Sequence, residues 1–101
     1  MLRRKLDYYK KIHLSLRGFV LDFPEEFEEK AKQNFYKQIG GMISSFGAVV
    51  RLRSRRVLVL LPKKYDCALV AHRLCGNLQA ASLIFFESNS TDIIVNLVRD
   101  Y

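Results

Sequence analysis

Four arginines, Arg51, Arg53, Arg55 and Arg56, fall within six residues of one another. A guanidinium offers phosphate two parallel hydrogen bonds and does not lose its charge. Lys63 and Lys64 follow, so residues 51–64 hold six bases and no acid. In an extended segment, alternation sends Arg51 and Arg53 to one face and Val50 and Leu52 to the other. With Val57 and Val59 turned inward, Arg56 is expected to face outward as well. Lys11, His13 and Arg17 fall between Ile12, Leu14 and Leu16, a period-two pattern that places them on the wet side of a strand over about 11–20. If that strand lies beside the hairpin, all nine groups form one basic sheet surface, suited to salt-dependent binding of a polyanion.

Other chemistry finds little support. His13 and His72 have no serine, cysteine or carboxylate at a spacing that implies a catalytic triad. His72 and Cys75, three apart on a helix, make half of a metal site, and no second pair of ligands is evident. Gly40-Gly41 is followed by Met42 rather than by a lysine and a hydroxyl residue, so it is no phosphate loop. The five acids in residues 22–29 read as an exposed helix N-terminus. Cys67 and Cys75 lie eight apart, about 12 Å along a helix, which is beyond disulfide reach. They read as small hydrophobes in a reducing compartment. The expectation is a non-enzymatic chain with no cofactor and no metal.

The elements that must position the arginines follow from periodicity. After the first strand, Asp22 can cap a helix opened by Pro24. The buried stripe of that helix is Phe27, Ala31, Phe35 and Ile39, and Gly40-Gly41 end it. Strands over about 47–53 and 56–61 form a hairpin, and Pro62 stops the second. A helix over 64–78 buries Cys67, Ala71, Leu74 and Leu78, and 82–86 is a strand. Ser90 or Thr91 caps a last helix carrying Ile93, Ile94, Leu97 and Val98. The plan is α+β, a ferredoxin-like split βαβ of order β-α-β-β-α-β with a short C-terminal helix. Right-handed crossovers put both main helices on one face of the sheet and leave the other open or covered only by the terminal segments. One core is expected to unite Phe27, Ala31, Phe35, Leu74, Leu78, Val50, Leu52, Leu58 and Leu60.

Composition agrees with a single domain. The chain has 101 residues, half of them apolar and 12% aromatic, which excludes a disordered chain. No apolar run exceeds five residues, as in Val57 to Leu61, too short for a bilayer core that needs about 20, so no membrane span is expected. Residues 1–10 read as a basic N-terminal extension. The basic start is followed by Asp7-Tyr8-Tyr9 rather than an apolar run, so a cytoplasmic location is expected. Seventeen basic against ten acidic residues give +7, which suits an acidic partner.

Two stretches resemble known families. Arg51-Leu52-Arg53-Ser54-Arg55-Arg56-Val57-Leu58-Val59-Leu60-Leu61-Pro62 resembles the hairpin of diguanylate-cyclase domains, which read Arg, an apolar residue, Gly-Gly-Asp-Glu-Phe and an apolar strand ending in Pro. Arg53, Ser54, Arg55 and Arg56 stand at the Gly and acidic positions, so the resemblance implies a degenerate, inactive module. Ile12-His13-Leu14-Ser15-Leu16-Arg17-Gly18-Phe19 resembles the first strand of a small-subunit ribosomal protein family of the same βαββαβ plan, whose Gly-Pro-rich central loop is missing here. Neither resemblance transfers a residue role. The leading expectation is nucleic-acid binding, RNA ahead of DNA, through Arg51, Arg53, Arg55, Arg56, Lys63, Lys64, Lys11, His13 and Arg17. The alternatives are a regulatory or assembly domain that meets an acidic protein surface, with a homodimer left open, and a basic face that only keeps the domain in solution.

Overall fold

A computed structural model describes residues 2–24, 29–42, 48–52, 55–75 and 82–99. The protein is a small α+β domain. Along the chain the elements are α1 (Leu2–His13), β1 (Leu16–Asp22), α2 (Glu29–Met42), β2 (Ala48–Arg51), β3 (Arg56–Leu60), α3 (Cys67–Cys75), β4 (Ser82–Ser88) and α4 (Thr91–Arg99). The strands form one antiparallel sheet in the order β2-β3-β1-β4.

The first element departs from expectation. Residues 11–13 belong to a helix, and the first strand starts at Leu16. Ile12 and Leu14 mimic strand alternation, yet both are exposed. The stronger pattern is Leu2, Leu6, Tyr9 and His13, spaced four, three and four, which is one face of a helix. Leu6 and Tyr9 are buried on that face, so the segment read as a basic extension is the body of α1. Leu14 ends the helix in the left-handed region (φ 64°), its N–H donating to the Lys10 carbonyl at 2.8 Å. This is the stop that glycine usually supplies. The stretch 12–19, likened above to a ribosomal first strand, is therefore helix through His13 and strand only from Leu16.

Both faces of the sheet are covered. On one, Phe19, Leu21, Val57, Val59 and Leu61 pack with Phe35 and Ile39 of α2 and with Val70, Ala71 and Leu74 of α3. On the other, Leu16, Val20, Val50, Leu58 and Leu60 pack with Leu6 and Tyr9 of α1 and with Ile94 and Val95 of α4. The single core expected from the sequence is thus two, because residues of opposite parity on a strand reach opposite faces. Phe35 and Leu74 belong to the first, and Val50, Leu58 and Leu60 to the second, with Leu52 partly buried beside them. Phe27 and Leu78 lie outside the described residues.

Gly18 of β1 lies against the backbone of β3 with no room for a side chain. A Cβ there would lie 1.9 Å from the Val59 carbonyl oxygen, and the backbone is at φ 154°, so only glycine fits. Ser90 caps α4, its Oγ accepting from Ile93 N–H at 3.3 Å.

Phe35 is the aromatic centre of the α2 and α3 layer, edge-on to Phe23 with ring centroids 5.0 Å apart. Phe35→Ala should lower stability by about 3–5 kcal/mol in urea unfolding, as buried Phe truncations do. A loss below about 1 kcal/mol would mean that α2 does not pack on this face.

Candidate nucleic-acid interface

Of the nine residues expected to form one surface, the seven with described side chains do not come together. Arg56 is the clearest correction. It shares parity with Leu58 and Leu60, so it points into the layer covered by α1 and α4 and is buried. Its Nε and Nη2 donate to the two carboxylate oxygens of Asp22, both at 2.7 Å, and Nη1 donates to the Val98 carbonyl at 3.2 Å. This bidentate pair fastens β3 to β1 and to the end of α4, and its guanidinium is directed inward rather than toward a ligand.

Arg17 is likewise engaged within the fold. Its Nη1 donates to the carbonyls of Pro62 and Tyr65 at 2.7 and 2.9 Å, and its Nε lies 3.3 Å from Glu87. His13 is half-buried against the Tyr9 ring, with centroids 4.3 Å apart, and lies on α1 rather than on a strand. Lys11 is exposed on the same helix. Lys64 is exposed, its ammonium 5.3 Å from the centre of the Tyr65 ring. Lys63 is exposed and lines a cleft of about 350 Å³ with Leu14, Ser15, Glu87, Ser88 and Asn89. Arg55 is exposed in the turn before β3. Arg51 lies in β2 with its backbone opposite Val57, and Arg53 lies outside the described residues. Arg55 and Lys63 sit at opposite ends of the extended β3 segment, about 25 Å apart at 3.3 Å per residue.

A cationic surface does exist, on an element that strand-like alternation concealed. Arg4, Lys5, Tyr8 and Lys11 are exposed on α1. Arg4, Tyr8 and Lys11 follow one another at i, i+4 and i+7, a line of about 10 Å along the helix. Arg4, Lys5 and Lys11 have no carboxylate partner among the described residues, whereas Arg3 pairs with Asp92 of α4. Asp7, between them, accepts a hydrogen bond from the Thr91 hydroxyl at 2.6 Å. The signal that could have located this surface is the 2, 6, 9, 13 apolar spacing, which turns residues 4, 8 and 11 outward.

Groups suited to nucleophilic or metal chemistry are sparse. Burial pushes the Cys67 thiol up from its ordinary value, which disfavours the reactive thiolate. Among the described residues no cluster of His, Cys, Asp and Glu could hold a metal ion, and no helix is long and apolar enough to cross a membrane. Tyr9 carries a buried hydroxyl without a hydrogen-bond partner among the described residues, and burial raises its pKa to about 12.

Substitution tests two of the interior polar groups, Arg56 and Tyr9. Asp22→Ala leaves the Arg56 guanidinium buried without its carboxylate and should cost about 3–5 kcal/mol, while the Asp22→Leu/Arg56→Met double variant should lose less than that single one. Chemical unfolding of both variants checks this, and a loss below about 1 kcal/mol for Asp22→Ala would show a guanidinium that is hydrated instead. For Tyr9, the neutral phenol favoured in the fold supports stability fully below pH 10, and that support is lost as pH rises through about 12. Between those limits the parent should lose about 1–3 kcal/mol more than Tyr9→Phe, measured by urea unfolding at stepped pH. Comparison with protein-family models, with curated proteins and with solved structures finds no match to this chain.

Proposed function

We propose that the chain is a non-enzymatic nucleic-acid-binding domain, with RNA as its first ligand class, and that the contact runs along the outer side of α1. The observation that carries the reading is the line of Arg4, Tyr8 and Lys11 with Lys5 beside it, three exposed cations without carboxylate partners among the described residues around an exposed ring. The cations suit phosphate, and Tyr8 suits stacking on an unpaired base, which is how single-stranded RNA is commonly held. Burial of the sheet under α1 and α4 argues against a sheet platform, so the reading moves from the hairpin to the helix. We also propose that β1 to β4 follow the ferredoxin-like split βαβ plan. Support for that is the strand order, read from the other edge as β4-β1-β3-β2, with α2 and α3 on one face of an antiparallel sheet.

The test is a salt titration of binding to a short fluorescent single-stranded RNA. Replacing Arg4, Lys5 and Lys11 together by Gln should leave thermal unfolding unchanged and reduce the log-log salt slope by about one for each phosphate that the variant no longer neutralises. Replacing the exposed Lys30 and Lys37 of α2, in the opposite layer, should leave the slope as it is. No binding at about 50 mM salt, or equal slopes for parent and triple variant, would overturn the reading.

A further inference from the structure

The outer edge of β4 is a surface that the described residues leave unpaired. β4 is an edge strand of seven residues, with β1 on one side and no described residue paired on the other. The direction of its backbone groups follows from β1. Leu61 N–H donates to the Arg17 carbonyl and Phe23 N–H to the Arg55 carbonyl, so the odd residues of β1 bond toward β3. The even ones, Leu16, Gly18, Val20 and Asp22, therefore bond toward β4, where they face Ser88, Phe86, Ile84 and Ser82. That leaves the N–H and C=O groups of Leu83, Phe85 and Glu87 aimed away from the sheet.

Among the described residues this edge carries little of the usual protection. No Lys, Arg or Pro occurs from residue 82 to 90, and the one charge, Glu87, is held 3.3 Å from Arg17. Apolar groups flank it on both faces. Phe85, 51% exposed, lies on the α2 and α3 side, edge-on to Phe19. On the other side α4 packs over β4 and β1. Asp92 and Thr91 of α4 turn toward Arg3 and Asp7 of α1, so helical spacing puts Ile93 and Leu97 on the flank away from α1, above the edge. Ile93 is 58% exposed.

We propose that this edge pairs with the same edge of a second copy of the chain, antiparallel, about a two-fold axis at Phe85. The three outward residues are self-complementary. Leu83 of each copy faces Glu87 of the other and Phe85 faces itself, so all three become hydrogen-bonded pairs and every outward N–H and C=O finds a partner. The two half-exposed Phe85 rings cover each other. The two Glu87 carboxylates stay about 13 Å apart along the strands, more than a Debye length at physiological salt, so no like charges are apposed. A register shifted by one residue would set the bonded groups of Ile84 and Phe86 against the edge and lose this match. This inference does not depend on RNA binding.

The experiment is amide hydrogen exchange followed by NMR on the full chain, with light scattering, from about 5 µM to about 500 µM. The expected result is a dimer at high concentration, with the amides of Leu83, Phe85 and Glu87 slowed at least about tenfold as it forms. The amides of Ile84 and Phe86, which already donate to β1, should be slow throughout. Phe85→Lys should return the protein to monomer with unchanged circular dichroism. A chain that stays monomeric across the range overturns the proposal, as does a dimer in which those three amides gain no protection. Protection that appears only when an unrelated protein is added also overturns it, because the edge would then serve another occupant.

Discussion

Everything in this domain depends on the burial of β3 from both sides. All five of its residues are buried, and the strand reads Arg-Val-Leu-Val-Leu with no polar alternation. A strand of that composition is stable only where both faces of the sheet are covered. Val57 and Val59 require α2 and α3, and Leu58 and Leu60 require α1 and α4. The same constraint explains Arg56. Its parity sends it under a helical layer, where a bare guanidinium would be prohibitive. Asp22, opposite it in the β1 register, and the carbonyl end of α4 supply acceptors. The close approach at Gly18 lets β1 and β3 meet without a side chain between them.

Covering the second face removes the middle of the sheet as a binding platform. What remains accessible is the outside of the helices, the turns and the edge of the sheet. Charge divides these clearly. α1 turns cations outward, while β4 and the turn after it carry no base. The arginine-rich hairpin does not act as a single group. One guanidinium is structural, one is exposed in the turn, and the lysines that follow lie at the other end of β3. Nearness in sequence on an extended strand spreads residues in space and alternates their faces, so a dense run of bases is not by itself a patch.

How much was legible follows from the strength of each local signal. The hairpin, the strand read at 82–86 and the last helix were readable because β-branched and aromatic runs, a proline stop and a serine cap mark them independently of the rest. The N-terminal segment was not, because Ile12, Leu14 and Leu16 match period two while Leu2, Leu6, Tyr9 and His13 match a helix. The two patterns overlap around His13, and only packing on the sheet decides between them. That one choice propagated. Without α1 the second face looked open or covered only by the terminal segments, Arg56 looked exposed, and Lys11 and His13 were placed on a strand. The cations of α1 were counted as a tail for the same reason.

The edge and the basic helix are linked through geometry. A two-fold axis that continues an antiparallel sheet runs perpendicular to it, so both copies keep the same face on the same side. The two α4 helices would then lie next to the shared strands, with the two α1 helices outside them, on one face of an eight-stranded sheet. Each copy brings a net charge of +7, and that repulsion opposes assembly most at low salt. A polyanion along both α1 helices would relieve it, while apolar contacts at Phe85 and Ile93 are almost indifferent to salt. The two processes therefore respond oppositely to ionic strength: salt favours strand pairing and weakens phosphate contact, which keeps them separable although they share a face.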